Sequence, residues 1–593
     1  MSSPPRPRTR RLTVIAQDPD VKIDGKILTT EVEIPAEEFA PGPRGYRVNV
    51  VDYDTSTGLL YQPQQYEPLR DGVYFDPFQE TAAQEDNTEL INDPQFHQQN
   101  VYAIVMRTLA RFELALGRRV AWDFPGHQLN VAPHAFAEAN AFYSQKDQAL
   151  VFGYFRGVSG EIVFSCLSHD VVAHETTHAV LDGLRARYTD PSSPEQAGFH
   201  EGFADVVALL SVFSLKDVVS LLISPRHTEG SDKSAEDLIA TSELTPEKLR
   251  ASVLLGLAEQ MGSEMKAGVR GNRADALRRS ANLAPIGPKE KSHKYADAPE
   301  FQEPHRRGEI LVAAMLNAFL EVWVARIERM KHGRTEDKLL DLQSVVDEGS
   351  ESAGHLLTMA IRALDYSPPT DLQFCDYLSG MLTADKELVP DDSRYGYRNI
   401  LLKNFACYGL RPPASAASDG TWRPFDDNKV TYDRSHYESM LRDPDEVFRF
   451  IWENRKELAL DDRAYTKVIS VRPCLRIGPD GFALRETVAE YIQMVTLRAE
   501  ELQQYNPPIN IPEGMSEDQE VTLYGGGALV FDEYGRLKYH VNNRIDNVGR
   551  QNPRLNYLWR YGYFDDKAET ENIFARMHLQ RALNLPSTTA EEF

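Results

Sequence analysis

The chain has 593 residues, 42% hydrophobic and 26% charged, an ordinary make-up for a soluble globular protein and too long for a single core. With 65 basic against 89 acidic residues the net charge is −24, which argues against nonspecific binding to nucleic acid or to an anionic membrane surface. The four cysteines, Cys166, Cys375, Cys407 and Cys474, are scattered without a C-x-x-C pair, the pattern of reduced, buried thiols rather than of a disulfide framework.

Taken in order, the first segment carries several arginines with no apolar stretch behind them, so no secretory signal is expected. No run is apolar for long enough to read as a transmembrane helix, and a cytoplasmic location is the expectation. Between residues 11 and 80, LTVIAQ, KILTTEVEI, YRVNVVDY and GVYFDPF read as strands broken by Asp-Gly and Gly-Pro turns. Asn100 to Arg118 has helical periodicity, with Gly117 placed to end it. LNVAPHAF and ALVFGYF return to strand, and His134, a lone histidine in the first of them, reads as a packed residue rather than a ligand.

The stretch SHDVVAHETTHAVLDGL, residues 168–184, follows. As a helix opened by Ser168 with Asp170 in its first turn, it places His174 and His178 at i and i+4 on one face, where two imidazoles reach one metal ion, with Glu175 beside them. The same three residues on a solvated face would be two ordinary surface histidines. A second pair tips the balance: in GFHEGFADVVALLSVF, Glu201 and Asp205 also stand one turn apart on an amphipathic stretch. A catalytic zinc takes three protein ligands, so Glu201 serves as the third, and Asp205 accepts the other ring N–H of a zinc-bound histidine.

These residues resemble the thermolysin-like zinc metallopeptidases of the gluzincin group. DVVAHETTHAV is similar to that family's zinc helix, and further stretches match in the same order. NAFY at Asn140 to Tyr143 resembles the substrate-binding edge strand. Tyr188 resembles an oxyanion tyrosine, one position off the family's spacing. DALR resembles the segment whose arginine, here Arg278, binds a substrate carbonyl. EPHRRGEILVAAM resembles the segment carrying an oxyanion histidine, here His305, with Glu300 five residues earlier where the family has an aspartate. The resemblance covers roughly residues 45 to 412, and an ordered set is far more specific than one motif.

The resemblance implies an α+β, two-lobed fold, with a β-rich lobe over 1–165 and zinc-binding helices with a helical lobe over 166–412. It implies one Zn2+ held by His174, His178 and Glu201, Glu175 as general base, and His305 and Tyr188 at the oxyanion. Glu300 and Asp205 would orient the histidines, and Asn140 and Ala141 would hold a peptide or protein substrate by strand addition. By position, Leu167, Val171 and Leu277 match the apolar pocket just after the cleaved bond. Two departures stand out. His200 occupies the family's asparagine position, and Val212 replaces a calcium-binding glutamate; Asp170 alone makes a poor calcium site, which speaks against calcium.

RPPASAASDGTWRPFDDN reads as a linker, after which residues 413–593 form an extra α/β region. Here a helix is expected near Asp443 to Leu458, strands around VISVRPCLRI, a helix from Arg485 to Gln504, and a hairpin in GGGALVFDEYGRLKYHV, its glycines marking the hairpin entry. The leading functional expectation is a zinc endopeptidase. A catalytically silent zinc-fold binding protein, and a self-processing protease held inactive by its C-terminal region, stand as alternatives.

Overall fold

The computed structural model describes residues 7–23, 25–190, 192–223, 238–256, 279–287, 295, 298–330 and 339–564. Helix and strand are mixed along the chain, as an α+β architecture requires. Two strands, β1 (Thr9–Ile15) and β2 (Thr29–Pro35), pair antiparallel from Thr9 opposite Pro35 to Ile15 opposite Thr29. A five-stranded sheet follows, built from β3 (Val48–Val50), β4 (Leu129–Phe136), β5 (Ala141–Ser144), β6 (Ala149–Arg156) and β7 (Ile162–Phe164). Strand β4 runs parallel to β3 and β6, whereas β5 and β7 pair antiparallel with β6. The expected strand in GVYFDPF is absent: Asp76 instead turns its carboxylate onto the Thr13 amide and hydroxyl, tying this segment to β1 as a loop.

Helix α1 (Pro94–Leu116) starts where the Asp93 side chain accepts from the Gln95 and Phe96 amides. It ends at Gly117, whose φ of 68° is left-handed and whose missing Cβ would lie 2.3 Å from the Leu475 carbonyl oxygen. Its polar face is buried because each amide has work to do. Asn100, for one, accepts from the Ile15 amide and donates to the Cys166 carbonyl.

Helices α2 (His169–Leu184) and α3 (Pro194–Phe213) pack on one another, and α3 crosses α4 (Pro304–Met330) closely. Glycines make that crossing: a Cβ on Gly202 would sit 2.8 Å from the Gly308 carbonyl oxygen, and one on Gly308 2.8 Å from the Gly202 amide nitrogen. Helix α4 is long and apolar enough to cross a membrane, but most of it is buried in the protein. Helices α5 (Leu342–Arg362), α6 (Phe374–Leu388) and α7 (Tyr397–Ala406) complete this part, and one continuous apolar core runs from Leu12 to Tyr408.

The remaining described residues hold a four-stranded antiparallel meander, β8 (Tyr465–Ile477), β9 (Ala483–Arg498), β10 (Glu520–Phe531) and β11 (Leu537–Asn543), flanked by α8 (Pro444–Glu453) and α9 (Val548–Arg560). The helix expected from Arg485 to Gln504 is instead strand β9 running into a short 3-10 turn. Its β-branched and aromatic residues Thr487, Val488, Tyr491 and Ile492 suit a strand laddered on both sides and buried on both faces, so the helical periodicity misleads. Gly525 to Gly527 lie inside β10 rather than at a hairpin entry, where a Cβ on Gly527 would strike the Tyr491 ring and His540 at 3.0 Å.

The Pro/Ala/Ser stretch is no free tether. Trp422 is buried, its indole N–H donating to the Tyr366 carbonyl at 2.7 Å. Buried ion pairs add to the joint: Arg118 grips Asp365 through two bonds of 2.5 and 2.7 Å, Arg476 bridges Asp365 and Glu486, and Arg185 meets Glu490. Burial works against the charge on Asp365, but the surrounding arginines hold its carboxyl well below the usual range.

Candidate metal centre

Helix α2 opens differently from its expected cap. The Ser168 hydroxyl caps no helix amide; it lies between two carboxylates, 3.1 Å from Asp18 and 2.8 Å from Asp170, and Asp170 itself accepts from the Val171 amide. Burial, with Asp170 adding to it, raises the Asp18 carboxyl to about 7. Helix α3 begins conventionally, with Ser193 accepting from the Gln196 amide and Pro194 in its first turn.

The two helices bring their acidic and imidazole faces together. His174 is 1% exposed and His178 fully buried, which removes the surface-histidine reading. One donor atom from each of His174, His178 and Glu201 lies within 4.8 Å of the others. The inward ring nitrogens, Nε2 of His174 and of His178, each stand 3.6 Å from a different Glu201 oxygen. That is too long for a hydrogen bond and close to the ~3.3 Å edge expected between ligands of a tetrahedral zinc with ~2.0–2.1 Å bonds. The outward nitrogens are held from behind: His174 Nδ1 lies 2.9 Å from Asp205 Oδ1, and His178 Nδ1 lies 2.8 Å from His200 Nδ1. His200 thus stands directly behind the His178 ring, where it can orient it. Donor chemistry, spacing and outer contacts all fit a zinc ion.

His305, one residue into α4, turns Nε2 to within 3.4 Å of Glu201 Oε2, while its Nδ1 lies 2.6 Å from Glu303 Oε1. Here the expectation needs correcting. Glu300 sits exposed on a 3-10 turn, and Glu303, two residues before His305, supplies the orienting carboxylate. Burial opposes ionisation of Glu303, but His305 and the His305 and Arg306 amides bring its carboxyl down to about 2. A carboxylate directly before a helix start, Glu303 ahead of Pro304, is the sequence signal for this contact.

Tyr188 is also placed elsewhere. Its buried hydroxyl donates to the Pro368 carbonyl at 2.7 Å, in the loop before α6, so its proton is committed away from an oxyanion. Glu175 is buried on α2 next to His174. Leu167 and Val171 are buried before and within the same helix. Asn140 leads into β5, whose Tyr143 hydroxyl reaches toward Asp182 of α2 at 3.4 Å, so this strand flanks the metal helix. Leu277 and Arg278 lie outside the described residues.

Against known proteins, the chain matches no protein-family model, and no curated protein matches it.

Proposed function

We propose that the protein is a zinc-dependent endopeptidase of the thermolysin-like kind, with Glu175 as general base. One observation carries this reading: a buried His174–His178–Glu201 triangle at zinc-ligand spacing, with a potential base in the residue next to a ligand. A structural zinc site is closed by four protein ligands, whereas three leave a place for water and substrate. Zinc, when bound, supplies the Lewis acidity that activates water and polarises a scissile carbonyl.

The chain's own groups do the rest. Glu175 takes the proton of the attacking water and passes it to the departing amine. Glu303 fixes the ring of His305 through Nδ1, so that Nε2 faces the same space as Glu201, where it would meet the developing oxyanion. Asp205 and His200 keep the ligand rings from turning. Strand β5 would bind an extended peptide beside α2 by strand addition, and Leu167 and Val171 would favour an apolar side chain just after the cleaved bond. Chelation should abolish cleavage of a mixed peptide library, and added zinc should restore it. A chain that refills with zinc and cleaves nothing would overturn the proposal.

A further inference from the structure

A second buried cluster lies away from this site. One donor atom from each of His97 on α1, His134 on β4 and Cys166 in the 3-10 turn before α2 lies within 4.8 Å of the others. All three are at most 1% exposed. His97 Nδ1 and His134 Nε2 face each other at 2.7 Å, while the opposite nitrogens are already engaged. His97 Nε2 lies 2.8 Å from the Ile91 carbonyl, and His134 Nδ1 lies 2.9 Å from Asp52, whose carboxylate also accepts from Gln98.

These contacts pose a proton-counting problem. The Ile91 carbonyl and Asp52 each call for a ring N–H, and neutral rings that supply them point two lone pairs at one another. A proton or a metal ion must fill the gap. A proton would have to be taken up inside the buried Asp52–His134–His97 chain, as an imidazolium or on the carboxyl. That arrangement gives the neighbouring thiol no part. A metal ion uses all three donors and takes the ring tautomers the outer acceptors already select.

We propose that His97, His134 and Cys166 form a second metal site, for a thiophilic divalent transition ion such as Zn2+, which pins α1 and β4 to the turn that leads into α2. Binding releases the Cys166 proton to solvent, and the dication, the thiolate and the Asp52 carboxylate then sum to zero charge, as a dry site demands. The rings must part by about half an ångström to reach ligand spacing.

Cobalt reports on this site separately, because the His174–His178–Glu201 triangle has no sulfur. The metal-depleted full chain should take up two equivalents of Co2+, one of them giving a thiolate-to-cobalt charge-transfer band in the near ultraviolet. Cys166→Ser, close in size to the native residue, should lose the band and one equivalent, and His97→Gln should do the same. His178→Ala should lose the other equivalent and keep the band. The wild-type titration needs no variant to fold: uptake without a thiolate band would overturn the proposal, as would a band that survives Cys166→Ser. Because the readout is sulfur ligation, it stands or falls independently of peptidase activity.

Discussion

Among the described residues the molecule buries two histidine clusters, and they differ in how the chain assembles them. In the first, His174 and His178 are one helical turn apart, and Glu201 comes from the next helix. In the second, His97, His134 and Cys166 come from a helix, a strand and a turn, with the two histidines 37 positions apart. Spacing along one element makes a local pattern; convergence of three elements leaves none. On the proposed reading, the first cluster would leave a ligand position open beside Glu175, which suits turnover. In both clusters the outer nitrogens are already held, by Asp205 and His200 in the first and by the Ile91 carbonyl and Asp52 in the second; the second joins three separate elements, which suits a cross-link.

The sharpest way to separate the two is to remove a ligand from one and read both. His178→Ala should lower peptide cleavage by about 10³-fold or more, since water activation depends on the metal, while the thiolate–cobalt band persists. A gentler pair tests the outer contacts. Asp205→Asn should weaken metal binding at the first cluster by roughly 10–100-fold, and Asp52→Asn should do the same at the second, each without disturbing the other; equilibrium competition with a chelator measures both.

The helix crossing behind the first cluster is a third lever. Gly202→Ala forces a methyl against the Gly308 backbone, so it should cost about 1–3 kcal/mol of stability and weaken zinc binding by shifting Glu201 from His305. Gly354→Ala, on α5 with open space at its Cβ, is the control and should be neutral or slightly stabilising. Thermal unfolding of the two variants makes the comparison.

The last lever is at the start of α2. Asp18 has its carboxyl raised to about 7, so the folded chain binds more protons than the unfolded one once pH exceeds the ordinary aspartate pKa. Stability should therefore fall as pH rises from about 4 to about 7, and level off above. Asp18→Asn should flatten that slope, read as the difference in unfolding free energy between the two ends.

The contrast also explains what the sequence made legible. His174, His178, Glu201 and Asp205 could be read because α2 and α3 are regular helices whose geometry turns spacing into proximity. Helix α1 was readable from Gly117 and its periodicity. The 485–504 stretch misled because a strand buried on both faces loses the alternation that marks a strand. Glu303 and the alternative partner of Tyr188 depend on how a 3-10 turn and a loop are aimed, which spacing does not encode. His134 was read as a packed residue because nothing local ties it to His97 or Cys166.

The central claim is the peptidase, and one comparison tests it most directly: zinc content and cleavage of a mixed peptide library by the full chain and by Glu175→Gln. The account predicts equal zinc in both at the first site, cleavage on the amino side of apolar residues by the wild type, and a loss of about 10²–10⁴-fold in the variant. Equal zinc with no cleavage by either, or cleavage undiminished in Glu175→Gln, would contradict it.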